Sequence, residues 1–161
     1  EKKRALANYF DETHTEDIFD YIPPQETNQI FTPKKVVKMM VDQLEENEPD
    51  IFGYPDKTFV DFYMKSGLYI TEIVKRIYRN PLMKALYPDD NERIKHILEC
   101  QVFGFAPTRI IYDIALSYIF GFDENAQNIS RRNFFDVDTL PYAQEGTLQE
   151  LVNDLLADRI N

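Results

Sequence analysis

The stretch Thr58-Phe59-Val60-Asp61-Phe62-Tyr63-Met64-Lys65-Ser66-Gly67 decides the fold of this chain. Residues 58–63 are rich in β-branched and aromatic types, which is typical of a buried strand. Ser66-Gly67 indicates a tight turn, where Gly67 is expected to adopt a positive φ. Residues 68–79 then show apolar positions at helical spacing. A strand, a tight turn and a helix in this order predict the beginning of a βαβ unit.

The alternation of strands and helices continues downstream. Residues 101–105 and 133–137 predict two more short strands, Thr108 is predicted to cap a helix, and residues 141–146 are predicted to form a loop. Apolar periodicity predicts further helices at residues 82–86, 91–100, 109–120 and 147–160. This order predicts an α/β fold, with a Rossmann-like parallel sheet of about three strands and flanking helices.

The chain upstream of the first strand divides near residue 28. Residues 1–28 are polar and acidic and are interpreted as a lead-in segment, whereas residues 29–161 are interpreted as the domain itself. Thr32 as an N-cap and Pro33 at the first helical position predict a helix. Its predicted packing stripe consists of Val36, Val37, Met40, Val41 and Leu44.

Composition limits the size and the partners of the protein. Its 161 residues correspond to one domain, and 43% hydrophobic residues are enough for a core. With 28 acidic and 18 basic residues the net charge is −10, so this chain alone is predicted to bind nucleic acid poorly. No apolar run approaches about 18 residues, so no membrane partner is expected. Because the chain begins at Glu1 rather than at a methionine, we expect it to be a piece of a larger protein.

Several kinds of chemical site are disfavoured. Cys100 is the only cysteine, which excludes an internal disulfide and a Cys-based zinc site, and its apolar neighbours predict a buried, reduced thiol in a cytoplasmic protein. The acidic run 45–50 is interpreted as a solvated loop, so no metal is expected. Around Gly67 neither a G-x-G-x-x-G fingerprint nor a G-x-x-x-x-G-K loop occurs, which argues against a nucleotide-dependent oxidoreductase.

Two segments resemble the adenine-specific (N6) DNA methyltransferases of restriction–modification systems. Ile30-Phe31-Thr32-Pro33 is similar to the F-T-P segment that opens the catalytic domain of this family. About two dozen residues later, the segment 59–72 is similar to the family motif D-P-A-C-G-S-G-x-F-L-x-E. The matching positions are Asp61, Ser66, Gly67 and Glu72.

Two later segments continue the resemblance in the same order. Val102-Phe103-Gly104-Phe105-Ala106-Pro107 corresponds to the second strand of the family and its G-x-D/E. Phe135-Asp136-Val137-Asp138-Thr139-Leu140 resembles the loop in which an Asp meets the adenine of S-adenosylmethionine. The resemblance covers roughly residues 28–155. It implies the cofactor-binding part of a methyltransferase domain, with S-adenosylmethionine as cofactor and DNA bound by other parts of the parent protein.

The resemblance assigns cofactor contacts but no catalytic residue. From the methionine end through the pocket floor and the ribose side to the adenine end, the implied contacts are Phe31, Thr32 and Pro33; Asp61, Ser66, Gly67 and Glu72; Phe105, Ala106 and Pro107; Asp138 and Thr139.

Three departures from the family pattern change these expectations. A family glycine is replaced by Lys65, and the acidic residue that holds the ribose hydroxyls is replaced by Ala106, which has no acceptor. The catalytic N/D-P-P-Y/F motif, expected shortly after the last helix, does not occur in the chain, and Pro141-Tyr142 lacks its Asn or Asp and second proline. The cofactor pocket is therefore expected to be weakened or differently built.

The predicted function is thus a part of an enzyme that transfers a methyl group from S-adenosylmethionine to adenine N6 in DNA. The alternative is a methyltransferase-like scaffold or interaction module of a restriction protein that has lost cofactor binding, which Lys65 and Ala106 favour. In methyltransferase-like sheets the first strand is central, and this chain encodes its neighbour on one side. We therefore expect the edge of strand 58–63 to be open and to mediate self-association as a dimer.

Overall fold

The structure, a computed structural model, describes residues 8–13, 32–157 and 159 of the chain. The strands in these residues are β1 Phe59–Asp61, β2 Val102–Ala106 and β3 Phe134–Asp136. The α-helices there are α1 Lys34–Asn47, α2 Leu68–Arg79, α3 Pro81–Leu86, α4 Asp90–His96, α5 Arg109–Ile119, α6 Leu140–Glu145 and α7 Leu148–Leu156. Short 3₁₀ turns occur at Ile51–Gly53 and Glu124–Asn128, and a π-helical turn, Ile97–Gln101, continues α4.

The three strands form one parallel sheet in the order β1-β2-β3. In the register of this sheet, Phe59 lies opposite Val102 and Gly104 lies opposite Phe134. The α/β class and the parallel sheet with flanking helices, which the sequence predicts, are confirmed. β1 and β3 are three and two residues shorter than predicted, and β2 is displaced by one residue. The apolar residues that flank the strands continue into turns and do not pair with a neighbouring strand.

One face of the sheet is covered by α2 and α5, the helices that follow β1 and β2. The ring of Phe134 meets that of Phe120, just after α5, edge-on with centroids 5.5 Å apart. Met64 is fully buried on the same face, and a Cβ added to Gly104 would lie only 2.8 Å from its sulfur. A glycine at position 104 therefore lets Met64 pack directly on the backbone of β2.

The opposite face carries a row of aromatic rings near the carboxyl ends of the strands. Phe62 and Phe135 stack on either side of Phe105, with ring centroids 5.9 and 4.9 Å away. Phe105 is fully buried, and the guanidinium of Arg159 lies over the ring of Phe135. These rings and Arg159 cover part of the second face of the sheet.

Helix α1 packs on α2 and differs from its prediction in two ways. Val37 and Val41 are buried, but Val36 and Met40 are 41% and 51% exposed, because among the described residues α1 packs mainly on α2 and buries only a narrow apolar stripe there. Pro33, with ψ of 143°, occupies the N-cap position without a side-chain hydrogen bond, so the predicted capping by Thr32 is wrong.

Three local predictions are also wrong. Cys100 is exposed, because the π-helical turn inserts an extra residue and changes which side chains of that segment face the core. Ile110, which the apolar periodicity of residues 109–120 predicts to face the core, is 59% exposed at the beginning of α5. Residues 140–145 form α6 rather than a loop, since Asp138 accepts a hydrogen bond from Leu140 N and Pro141 suits a first helical turn. By contrast, the predicted cap of α5 is confirmed, because Thr108 Oγ1 accepts from Ile111 N.

Residues 8–13 pack against the domain. The phenol of Tyr9 is 2% exposed and donates a hydrogen bond to Ile119 O, 2.9 Å away. Arg79, at the end of α2, donates to Phe10 O and pairs with Glu12. Among the described helices, none combines the length and the apolar character that crossing a membrane requires.

Candidate functional site

The carboxyl ends of β1, β2 and β3 lie at one edge of the sheet, where parallel α/β folds bind ligands. Most of the residues that the sequence predicts as cofactor contacts follow these strands. They are Asp61, Ser66 and Gly67 after β1; Phe105, Ala106 and Pro107 at the end of β2; Asp138 and Thr139 after β3.

The turn after β1 is held closely against the sheet. Met64 N donates to Phe105 O at 2.7 Å, so the chain follows β2 beyond the end of the strand. Ser66 is buried, and its hydroxyl lies 3.4 Å from Leu68 N, at the beginning of α2. These contacts fix the path of the turn from β1 into α2.

Gly67 ends this turn with φ of +82°, which confirms the predicted left-handed conformation. A Cβ at this position would lie 3.1 Å from Ile119 Cγ1 and 3.4 Å from Ala115 O, both in α5. The missing side chain therefore allows the turn to approach α5. The sequence motif alone would have suggested that the glycine makes room for a ligand.

Asp61 is the acidic residue at the end of β1. Its carboxylate accepts a hydrogen bond from Tyr63 N at 3.1 Å. Burial raises the pKa of the Asp61 carboxyl above its ordinary value, and the hydrogen bond from Tyr63 only partly offsets this effect. A carboxyl in such a site binds a hydrogen-bond donor readily, because a donor compensates for the lost hydration.

The loops after β1 and β3 are joined by a hydrogen bond from Thr139 Oγ1 to Phe62 O. Thr139 is 4% exposed. Since β2 lies between β1 and β3, this bond connects the loops on either side of its carboxyl end, where Ala106 has no exposed surface. The bond therefore spans the carboxyl end of β2.

Asp138, next to Thr139, is exposed and accepts from Leu140 N at 3.0 Å. A carboxylate has two oxygens, so Asp138 can accept further hydrogen bonds. Among the predicted residues, Asp138 is thus the polar group after β3 with acceptor capacity for a ligand.

The other four predicted residues, Phe31, Thr32, Pro33 and Glu72, lie apart from these strand ends or outside the description. Thr32 and Pro33 precede α1 and are positioned through the packing of α1 on α2. Phe31 lies outside the described residues.

Glu72 lies within an ion-pair cluster on α2. Its carboxylate pairs with Lys75 Nζ at 2.8 Å and with Arg76 Nε at 3.0 Å, and its side chain is 8% exposed. Arg76 also pairs with Asp42 and Glu45 of α1. Burial alone would lower the pKa of Arg76, but hydrogen bonds to these carboxylates raise it above its ordinary value. Arg76 therefore joins α2 to α1, and Glu72 pairs with Arg76 from within α2.

Sequence reasoning missed the ion-pair cluster and the Thr139–Phe62 bond. The spacing of Glu72, Lys75 and Arg76, three and four residues apart, is a readable signal for pairing within a helix. Nothing in the sequence indicates that the hydroxyl of Thr139 bonds to the carbonyl of Phe62, because that contact depends on how two distant loops meet.

The described residues do not provide a complete site for S-adenosylmethionine. A ribose needs acceptors for its two hydroxyls at the end of β2, and Ala106 is a buried apolar residue there. Asp61 and Asp138 supply carboxylates on either side, but Asp61 is partly buried and the bond from Thr139 crosses between them. The two larger described clefts, of about 860 and 630 Å³, are lined by none of the predicted residues.

The chain is similar to an uncharacterized adenine-specific methylase of Mycoplasma pneumoniae. The two are 24% identical over 98 residues, which cover 61% of this chain and 23% of the relative. The chain thus matches about a quarter of the length of that protein. No family model matches the chain, and no solved structure matches it. The similarity supports a relationship to methylases, without a finer assignment.

Proposed function

We propose that this chain is the cofactor-side part of an adenine-specific DNA methyltransferase, belonging to a cytoplasmic restriction–modification protein. The main support is the left-handed turn at Gly67, which leads from β1 into α2 in a parallel sheet of order β1-β2-β3. That turn carries the motif by which the sequence resembles this family. The similarity to an adenine-specific methylase agrees with the proposal.

In this proposal, residues of this chain position the cofactor, and the rest of the protein holds the adenine base for methyl transfer. Asp61 and Gly67 form the floor of the cofactor pocket, and Asp138 receives the adenine amine of the cofactor. Methylation of adenine N6 requires a base flipped out of the duplex and held by stacking and by acceptors for its amine. No residue of this chain is assigned that role, because the N/D-P-P-Y/F motif does not occur in it.

The test is methyl transfer by the complete protein that contains this chain. Duplex DNA is incubated with methyl-labelled S-adenosylmethionine, and nucleosides from the digested DNA are analysed for N6-methyladenine. We expect Asp138→Asn to reduce the product, whereas Asp113→Asn, an exposed aspartate on α5, leaves it unchanged. Absence of N6-methyladenine with the unmodified protein, at any cofactor concentration, contradicts the proposal.

The cofactor affinity of the present chain is a separate expectation. Because Ala106 replaces an acceptor for two hydroxyls, hydrogen bonds of about 1.5–3 kcal/mol each are lost, so the affinity should fall at least tenfold relative to a complete site. Titration calorimetry with S-adenosylmethionine should therefore give weak binding or none. Micromolar or tighter binding by this chain would show that its pocket is built differently from the one implied by the resemblance.

A second candidate function is an interaction module that does not use the cofactor. The observation that favours it is the buried Ala106 at the end of β2, which is spanned by the bond between Thr139 and Phe62. If the complete protein neither binds S-adenosylmethionine nor methylates DNA, this second function replaces the first.

A further inference from the structure

The anchor segment, residues 8–13, is attached to the domain by two aromatic side chains. Tyr9 is 2% exposed, and its hydroxyl donates a hydrogen bond to the last carbonyl of α5 at 2.9 Å. The ring of Phe10 meets those of Tyr78, near the end of α2, and Phe122, after α5, with centroids 4.8 and 5.4 Å away. The anchor segment therefore packs on the C-terminal ends of α2 and α5.

Tyr9 also lies beside the beginning of α1. A cavity of about 10 Å³, with room for at most one water molecule, is lined by Tyr9, by Lys34 and Val37 of α1 and by Leu68 of α2. Val37 is as deeply buried as Tyr9, at 2% exposed. In packing this close, the position of one side chain constrains the position of its neighbour. The ring of Tyr9 therefore supports the first turns of α1 at Val37.

The first turn of α1 is bonded to the residue at which the helix begins. Val36 N and Val37 N both donate to Pro33 O, at 2.9 and 3.1 Å. Among the described residues no side chain caps this end of α1, so the packing of Val37 is important for holding it. A displacement of Val37 would therefore move Pro33 and Thr32, the two residues that the resemblance assigns to the methionine end of the cofactor.

Ion pairs of Glu12 contribute less to this arrangement than Tyr9 does. The Glu12 carboxylate pairs with Arg79 at 2.7 Å and lies 3.7 Å from Lys75 Nζ, both on α2. The hydrogen bond from Arg79 lowers the pKa of the Glu12 carboxyl, and the charges of Lys75 and of Lys38 on α1 lower it further. Lys38 is also attracted by Asp42 of its own helix. Because the Glu12 side chain is 62% exposed, these pairs hold the segment weakly, and the buried Tyr9 is its main attachment.

We propose that Tyr9 is a positioning residue that holds Thr32 and Pro33 at the cofactor pocket through the first turn of α1. The inference rests on the proposed function, in which the chain supplies the cofactor side of a methyltransferase. Tyr9 acts through Val37 and the first turn of α1 and makes no contact with the cofactor itself.

The first test measures amide hydrogen exchange by NMR in this chain without ligand. Tyr9→Ala should accelerate exchange of the Val36 and Val37 amides at least fivefold. The first turn of α5, where Tyr112 N donates to Thr108 O, is the internal reference and should change less than twofold. No change in α1, or the same acceleration in α1 and α5, overturns the proposal.

Matched variants separate positioning from a general loss of stability. Tyr9→Phe keeps the ring beside Val37 and should restore exchange in α1 to within twofold of the unmodified chain. Tyr87→Phe is the control, because it also removes a tyrosine hydroxyl that bonds to a distant side chain, His96. If Tyr9→Ala does not fold, Tyr9→Leu is judged by the same criteria. The proposal fails if Tyr87→Phe accelerates exchange in α1 as much as the Tyr9 variant does.

The second test measures methyl transfer to duplex DNA by the complete protein that contains this chain. Tyr9→Ala should raise the KM for S-adenosylmethionine at least fivefold, whereas kcat and the KM for DNA change less than twofold. Tyr9→Phe should restore the KM, and Tyr87→Phe should leave it unchanged. Faster exchange in α1 with an unchanged KM overturns the positioning role and leaves the proposed function intact. Absence of methyl transfer by the unmodified protein instead overturns the proposed function and, with it, this role of Tyr9.

Discussion

Two glycines with positive φ differ in what surrounds them. Gly67 and Gly146 have φ of 82° and 75°. A Cβ at Gly67 would crowd Ile119 and Ala115, whereas no atom lies within 4 Å of a Cβ at Gly146. Comparing the two positions therefore separates the backbone cost of a left-handed residue from the cost of close packing.

We expect Gly146→Ala to lower the free energy of unfolding by about 1 kcal/mol, the backbone cost alone. Gly67→Ala should cost clearly more, because its Cβ also meets α5 at 3.1 Å. Lys65→Ala, in the same turn, should cost less than Gly67→Ala. Urea unfolding measures all three, and equal losses for the two glycine variants would contradict the packing argument.

Because of Asp61, the free energy of unfolding should increase as the pH falls, which is unusual for a carboxyl group. Burial raises its pKa in the folded state, so the folded protein binds a proton more readily than the unfolded chain does. Stability contributed by Asp61 therefore increases as the pH falls through the raised pKa and is constant below the ordinary value of about 3.9.

Asp61→Asn removes this ionisation, while an amide oxygen can still accept from Tyr63 N. The variant should be more stable than the unmodified protein at pH 7, and this gain should disappear below about pH 3.9, where Asp61 is protonated in both states. Thermal unfolding between pH 3 and 7 measures the difference. A gain that is independent of pH would mean that Asp61 is not desolvated.

At the scale of elements, α1 and α2 are joined by the ion-pair cluster around Glu72 and Arg76. Replacing Glu72 with Gln leaves the nearly buried ammonium of Lys75 with a weaker partner, Glu12, at 3.7 Å. We expect a loss of about 1–3 kcal/mol in the free energy of unfolding. Because the pair is shielded from solvent, added salt should change this loss little.

The exposed pair Arg109–Asp113 on α5 is the control, with side chains 69% and 57% exposed. Asp113→Asn should change the free energy of unfolding by less than about 0.5 kcal/mol. Chemical unfolding in low and high salt distinguishes the two variants. If Glu72→Gln is as harmless as Asp113→Asn, the cluster does not hold α1 against α2.

The sequence predicted the elements whose signals are local. The left-handed turn at Gly67 and the cap at Thr108 depend on single residues, and the sequence predicts both. Burial on one face of a helix was harder to predict, since the exposure of Met40 depends on which neighbour covers α1. The bond between Thr139 and Phe62 near Ala106 is a tertiary contact between distant loops, and no local pattern of residues encodes such a contact.

At the scale of the whole molecule, the sheet leaves the edge of β1 open within the described residues. β1 pairs with β2 alone, and its continuation exposes Phe62 and Tyr63, each 40% accessible. Unpaired backbone groups beside apolar side chains form a template for another strand. We therefore predict that the chain forms a symmetric dimer through β1.

Sedimentation velocity across a range of concentrations measures this association, and amide exchange reports whether residues 59–61 are protected in the dimer. Tyr63→Lys should shift the equilibrium to the monomer, whereas Tyr142→Lys, where Tyr142 is 38% exposed, should not. A chain that stays monomeric at high concentration, with fast exchange in β1, contradicts the dimer.

The register of the sheet also determines when each strand can find its partner during synthesis. Phe59 pairs with Val102, so β1 leaves the ribosome long before β2 has been made. At translation rates of roughly 5–20 residues per second, β1 waits roughly 2–9 s without a partner, while the helices between the two strands can already form. β1 is therefore open to misassociation during this interval, which is when a ribosome-bound chaperone would have to cover it.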